Sequence, residues 1–281
     1  MALDPFVTLL VLSAAVMHAS WNALVKATGD RLAMQSLVIF FSGLPAWLAL
    51  PFLPLPSAAA VPFLITSLLV HFGYYVALLG AYRHGDLSQV YPIARGVAPL
   101  LVALGAWAVA GERMGPMEWA GIIVLSAAIM SLAAPRRGSS DLRAVGFALL
   151  TGLTIALYSV ADGLGVRRSG DAMSYIAWLL AIESPPLLLF GLWQRRGRIV
   201  ASFRPALARG VIGGIVCGLG YGIVIWAMGR APMAHVSALR ETSVLLAAVI
   251  GSRLLREPFG LRRVAAAGLV VVGSALMHLA G

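Results

Sequence analysis

The chain has 281 residues, 60% of them apolar and 11% charged, with a formal net charge of +10. A soluble domain carries about a quarter charged residues, so these proportions, with a mean hydropathy of +0.90, exclude one. The basic residues stand in short clusters between apolar runs rather than along one face. That pattern excludes a nucleic-acid surface and places them at the edges of a membrane.

A helix needs about 20 apolar residues to cross the hydrocarbon core. In chain order the sequence offers ten such stretches, at about 6–26, 33–53, 61–82, 88–109, 116–134, 144–166, 173–193, 208–228, 233–252 and 261–280. Nothing basic precedes the first, which continues past His18 to Lys26, so it reads as a retained span rather than a cleaved leader. The breaks are short and polar, as in TGDR (28–31), RHGD (83–86) and REPFG (256–260). The longest, 194–209, is amphipathic enough to lie partly along the interface. The lone cysteine, Cys217, falls inside the eighth stretch and can form no intramolecular disulfide. Gly210, Gly214, Gly218 and Gly222 recur every four residues there, a stripe that lets another helix approach closely. Ser243, Ala247 and Gly251 make a shorter stripe on the ninth.

The two halves of the chain resemble each other. AYRHGDLSQVYPIARG (81–96) is similar to AMGRAPMAHVSALRE (227–241), GYY (73–75) to GYG (220–222), and Glu112 matches Glu257. DRLAMQSL (30–37) is similar to SGDAMSYI (169–176), with Pro45 following in one half and Pro185 and Pro186 in the other. The repeats are therefore 1–138 and 139–281. Five spans is an odd number, so the copies sit upside down relative to each other, an arrangement of secondary transporters with a midplane site. The expected fold is an all-α membrane protein, ten transmembrane helices as two inverted five-helix repeats around a central cavity. Setting aside Arg95 and Arg240, loops after odd spans hold fifteen Lys and Arg against four after even spans. The odd loops are expected in the cytoplasm and both termini outside.

Arg95 and Arg240 lie near the centres of the fourth and ninth spans, where a charge persists only if paired or facing a polar cavity. Two readings stay open: an interhelical ion pair holding the halves together, or anchors for an anionic group, which guanidinium grips with a planar donor fork. Tyr91 and Ser237 share their helix faces. Pro92 and Pro99 are expected to kink the fourth span around Arg95. Glu183 and Glu241 balance the two arginines, which suits stability alone, a zwitterion site, or a coupling proton on either carboxylate. Asp162 and Lys26 lie near span ends and are expected at the interface. His18, His71 and His235 read first as hydrogen-bonded packing residues, with His71 kept as a lining candidate beside Asn22. Tyr74 matches Tyr221 and Trp21 matches Tyr158 across the two halves, and with Tyr75 they are candidates for lining a cavity suited to flat or apolar groups.

HASWNALVK (18–26), VYPIARGVAPLLVALG (90–105) with Glu112 behind it, and VSALRETSVLLAAVIG (236–251) with Glu257 behind it resemble the paired EamA-type repeats of the drug/metabolite transporter superfamily. The resemblance spans nearly the whole chain. It implies a ten-helix carrier whose cavity is lined by the first four helices of each half, with the fifth as a supporting wall. Members of the superfamily export amino acids and other small metabolites, and some carry sugar phosphates or nucleotide sugars; the size and ten-span plan are similar to the bacterial amino-acid exporter branch. Many ten-span relatives are drawn with both termini in the cytoplasm, opposite to the charge count in this chain.

The function expected is therefore export of small metabolites, foremost amino acids, across a bacterial inner membrane, by a monomer that binds no cofactor and no metal and uses protons as a candidate coupling ion. A carrier of anionic or phosphorylated metabolites, or a drug or cation exporter, is the alternative. The sequence contains no HExxH or GxSxG and no catalytic aspartate pair in facing spans, which argues against an intramembrane enzyme.

Overall fold

The computed structural model describes residues 4–26, 28–85, 87–133, 141–196, 198–246 and 261–279, and within them every regular element is helical. The helices are α1 (Pro5–Lys26), α2 (Arg31–Ser42), α3 (Leu44–Ala49), α4 (Val61–His84), α5 (Leu87–Ala110), α6 (Pro116–Met130), α7 (Leu142–Arg168), α8 (Ala172–Gln194), α9 (Ile199–Phe203), α10 (Leu207–Met228), α11 (Met233–Arg240) and α12 (Leu261–Leu279). Seven segments are long and apolar enough to cross a membrane, and α6 and α12 are shorter apolar helices. Large apolar side chains such as Phe6, Leu9, Trp107 and Val271 point outward. In water such a surface would aggregate; in lipid it is the favoured one. The chain is a multi-pass membrane protein.

Two spans are interrupted where the sequence read them as continuous. The second stops at Gly43 and restarts as α3, because Pro45 has no N–H to donate and tolerates only the first turn of a helix. A Cβ at Gly43 would meet the Ser184 side chain, so the break also lets α8 in close. The ninth stops at Arg240. Glu241 and Thr242 form a turn with three-residue hydrogen bonds, Glu241 N to Ala238 O at 3.1 Å and Thr242 N to Leu239 O at 3.2 Å. Helix resumes at 243–246; the rest of that expected span, with Ala247 and Gly251, lies outside the described residues, as does Glu257 beyond it. The fourth span is assigned the other way: α5 runs without a break through Pro92 and Pro99. Each proline removes one rung, and the remaining ladder and the packed neighbours hold the helix.

The glycine stripe on α10 receives α2. Gly210 faces Leu37, Gly214 faces Phe41, and a Cβ at Gly218 would collide with the Ser42 carbonyl. Other pairings follow a reciprocal pattern: α4 packs on α7 as α10 packs on α1, and α5 packs on α7 as α11 packs on α1. The pairs α2–α8, α5–α11 and α6–α12 face each other directly. These contacts leave a hollow at the centre, bounded by α1, α2, α4, α5, α7, α8, α10 and α11.

Candidate functional site

A cavity of about 150 Å³ occupies that hollow. Its inner end is walled by His71, Tyr158, Tyr221 and Val224, and its outer end by Trp21, Asn22, Gln35, Tyr82 and Tyr91. Trp21 and Asn22 lie late in α1, Gln35 early in α2, Tyr82 late in α4 and Tyr91 early in α5. The cavity therefore runs from mid-span toward the face that carries the connections α1–α2, α4–α5, α6–α7 and α8–α10, termed here the odd-loop face.

Of the sequence candidates, Trp21, Asn22, His71, Tyr74, Tyr75, Tyr91, Arg95, Tyr158, Glu183, Tyr221 and Arg240 line this cavity. Ser237 and Glu241 do not. Ser237 is fully buried on α11. Glu241 sits in the turn after α11, also fully buried, with Oε2 2.9 Å from Arg95 Nε and Oε1 3.8 Å from Arg240 Nε. The carboxylate expected to meet an ammonium or a coupling proton from the cavity is thus placed behind its wall, as the counter-ion of the arginines. The two readings of the arginines separate accordingly. Arg95 is held at contact distance by Glu241 and lies 3.4 Å from the Ser243 hydroxyl. Arg240 is 5% exposed, borders the cavity, and has no hydrogen-bond partner on Nε or Nη2 among the described residues.

Another part of the wall is acidic and aromatic. Tyr75 donates its hydroxyl to Glu183 Oε1 at 3.2 Å, and His71 Nε2 stands 3.5 Å from the same oxygen. His71 Nδ1 is 2.8 Å from the Ser67 carbonyl, which can only accept, so the proton on that side is fixed and Nε2 faces Glu183. The imidazole stacks on Tyr158 with ring centroids 4.0 Å apart, and Tyr221 meets it edge-on at 6.0 Å. Tyr74 packs edge-on against both Tyr75 and Tyr158. His71 is therefore more than packing: it joins the aromatic wall to the Glu183 carboxylate, which borders the cavity.

Asp162 is a correction. Its place six residues before the end of α7 suggested an interfacial side chain, yet it is fully buried. Tyr175 donates to Oδ1 at 3.1 Å and Tyr221 to Oδ2 at 2.5 Å. Tyr221 thus spends its hydroxyl behind the wall and shows its ring to the cavity. The Lys26 side chain lies outside the described residues. His235 packs away from the cavity, with Nε2 3.1 Å from Glu118 Oε1. His18, Gln35, Tyr82 and Cys217 also line the cavity and were not singled out as site residues from the sequence.

The far, even-loop face is tied shut. Arg167, near the end of α7, donates to Glu112 Oε1 at 2.7 Å, to the Met228 carbonyl at 2.9 Å and to the Ala231 carbonyl at 2.8 Å. Glu112 also accepts from the Met233 amide, through Oε1 at 3.1 Å and Oε2 at 2.9 Å, at the start of α11. Four chain ends meet on one guanidinium and one carboxylate. The Ser57 amide binds the Ser169 carbonyl at 2.9 Å, closing the α3–α4 connection onto α7 as well.

Residues 142–279 match the EamA-like transporter family. The match covers most of the second half of the chain. That match supports a place in the drug/metabolite transporter superfamily and the reading of the chain as a membrane transporter. A solved crystal structure, titled only as that of a protein, superposes with a TM-score of 0.72 at 16% identity, covering 98% of this chain and 96% of the other. At that identity the likeness concerns the fold. No curated protein matches the sequence. The EamA-like half supplies Tyr158, Glu183, Tyr221 and Arg240 to the cavity, and the first half supplies Trp21, His71, Tyr74, Tyr75 and Arg95.

Proposed function

We propose that this protein is a secondary transporter that exports amino acids, including aromatic or other apolar ones, by alternating access between two inverted repeats, 1–138 and 139–281. The observation that carries the proposal is the polarity of one cavity. Arg240 contributes guanidinium nitrogens with no hydrogen-bond partner among the described residues, Glu183 contributes a carboxylate, and tyrosine rings share the lining with them. A zwitterion with a flat or apolar side chain complements all three: its carboxylate meets Arg240, its ammonium meets Glu183, and its side chain lies among Tyr74, Tyr158 and Tyr221. The reciprocal helix pairing, α4 on α7 with α10 on α1, supports the inverted repeat.

The Lys and Arg bias puts the odd loops in the cytoplasm of a bacterial inner membrane and both termini outside. In that orientation the cavity opens inward, where an exporter loads. His71 and Glu183 share the cavity wall, so a proton exchanged between them is available for coupling; Glu241 is withdrawn from that role by its pairing with Arg95. No cofactor is called for, and the unit of transport is a monomer.

Phosphorylated metabolites fit less well. Arg95 is neutralised by Glu241, and Glu183 repels a second negative charge. A cationic drug would use Glu183 and the tyrosines and leave Arg240 idle. Uptake into proteoliposomes of a panel of radiolabelled amino acids, with Arg240→Gln and Glu183→Gln beside the parent, tests the reading. Loss of transport in both supports a zwitterion; loss only in Glu183→Gln turns the reading to cations.

A further inference from the structure

A second crevice, of about 300 Å³, lies between α1, α3, α8 and α10 on the even-loop half of the molecule. Leu10, Ala49, Leu53, Met173, Ile223 and Trp226 line it. Its polar side-chain groups among the described residues are few: the Ser42 hydroxyl, which donates to the Ile39 carbonyl at 2.7 Å, and the indole N–H of Trp226. It opens sideways onto the outward apolar surface, where Met173 is 53% and Leu219 48% exposed. Along α10 it reaches from Trp226 back to Gly218, eight residues or about 12 Å at the helical rise, which is nearly the depth of one leaflet's hydrocarbon.

A cation stands at its shallow end. The Arg230 guanidinium lies 4.0 Å above the Trp226 ring, in the connection just after α10, and is exposed. Among the described residues no carboxylate pairs with it. A tryptophan that walls an apolar slot, capped by a free arginine at the membrane edge, presents two chemistries at the spacing of a lipid: hydrocarbon below, anion above.

We propose that this crevice binds one chain of an anionic phospholipid, with the headgroup phosphate on Arg230 and the acyl chain between α3, α8 and α10. The site needs the chain to be in a membrane but is independent of what the central cavity carries. Its position has a consequence. Arg230 lies between Met228 and Ala231, whose carbonyls Arg167 holds, so a lipid seated there braces the closed even-loop face. Ser42, Leu180 and Gly218 border both spaces, so the occupied crevice also backs the inner wall of the cavity.

The test uses the full chain reconstituted in phosphatidylcholine vesicles. Phosphatidylglycerol with brominated acyl chains is added to one series and brominated phosphatidylcholine, at the same fraction, to another. The emission of Trp226 is taken as the difference between the parent and Trp226→Phe, a change that keeps a ring under Arg230. The proposal expects Trp226 to be quenched more strongly by the anionic lipid, by about twofold or more at low fraction, and the excess to vanish in Arg230→Gln. Equal quenching by the two lipids would mean that only bulk hydrocarbon wets the slot, and no quenching by either would mean that no chain enters it; each result overturns the proposal. Neither depends on transport, so failure here leaves the substrate reading untouched.

Discussion

Arg95 on α5 and Glu241 beyond α11 meet at 2.9 Å across the boundary between the two halves of the chain, with Glu241 fully buried behind the cavity wall that Arg95 helps to form. A buried pair is weak support for stability as such, but removing one member strands the other in a low dielectric. Glu241→Gln and Arg95→Gln should each lower stability by about 3–5 kcal/mol, measured as a fall in melting temperature of the detergent-solubilised protein. The double change Arg95→Met with Glu241→Leu should be milder than either. If both single changes left the melting point unmoved, the pair would not be holding the halves.

The Arg167–Glu112 contact should behave as a latch. It joins the end of α7 to the connections before α6 and α11 with charge-assisted hydrogen bonds, each worth about 1.5–3 kcal/mol when desolvated. Arg167→Gln or Glu112→Gln should shift the protein toward opening on the even-loop face. Reaction of Cys217, the one cysteine of the chain, with a membrane-impermeant maleimide from that face reports it. The account expects at least a several-fold rise in rate over the parent.

Gly218 has no room for a side chain, because a Cβ there runs into the Ser42 backbone. Gly218→Ala should cost roughly 1–3 kcal/mol by overpacking. Gly146, which has nothing within reach of an added Cβ, should accept alanine at no loss. Paired thermal melts of the two variants decide the point.

Asp162 accepts from two tyrosine hydroxyls, Tyr175 and Tyr221. Asp162→Asn keeps one acceptor and puts an amide donor where a tyrosine hydroxyl now donates. The expected loss is about 1–3 kcal/mol, with a changed orientation of the Tyr221 ring and weaker binding of aromatic substrates in proteoliposome uptake.

How much of this was written in the sequence depends on which signals are local. Span positions follow from twenty-residue apolar runs, and the close approach of a neighbour to α10 follows from its four-residue glycine stripe; that the neighbour is α2 comes from the structure. The pairing of Arg95 with Glu241 was legible only in outline: an interhelical ion pair holding the halves together was one of two readings of the arginines, and the turn at Glu241 sends the carboxylate across to α5. That turn carries no proline or glycine, so nothing marked it. Asp162 was misplaced for a similar reason. Distance from a helix end measures depth only if the end is at the surface, and α7 extends past the expected boundary to Arg168. Cys217 gave no signal beyond its apolar setting, and its position on the cavity wall comes from how α10 rotates to put its glycines against α2.

The central claim is that one cavity holds the site and opens to one face at a time. Cys217 tests it most directly, since it borders that cavity and Cys217→Ser supplies the blank. In vesicles of known orientation, an impermeant thiol reagent should label the parent from the odd-loop face and scarcely at all from the even-loop face. A transported amino acid should slow the labelling. Labelling from the even-loop face alone, or at equal rates from both, would contradict the account.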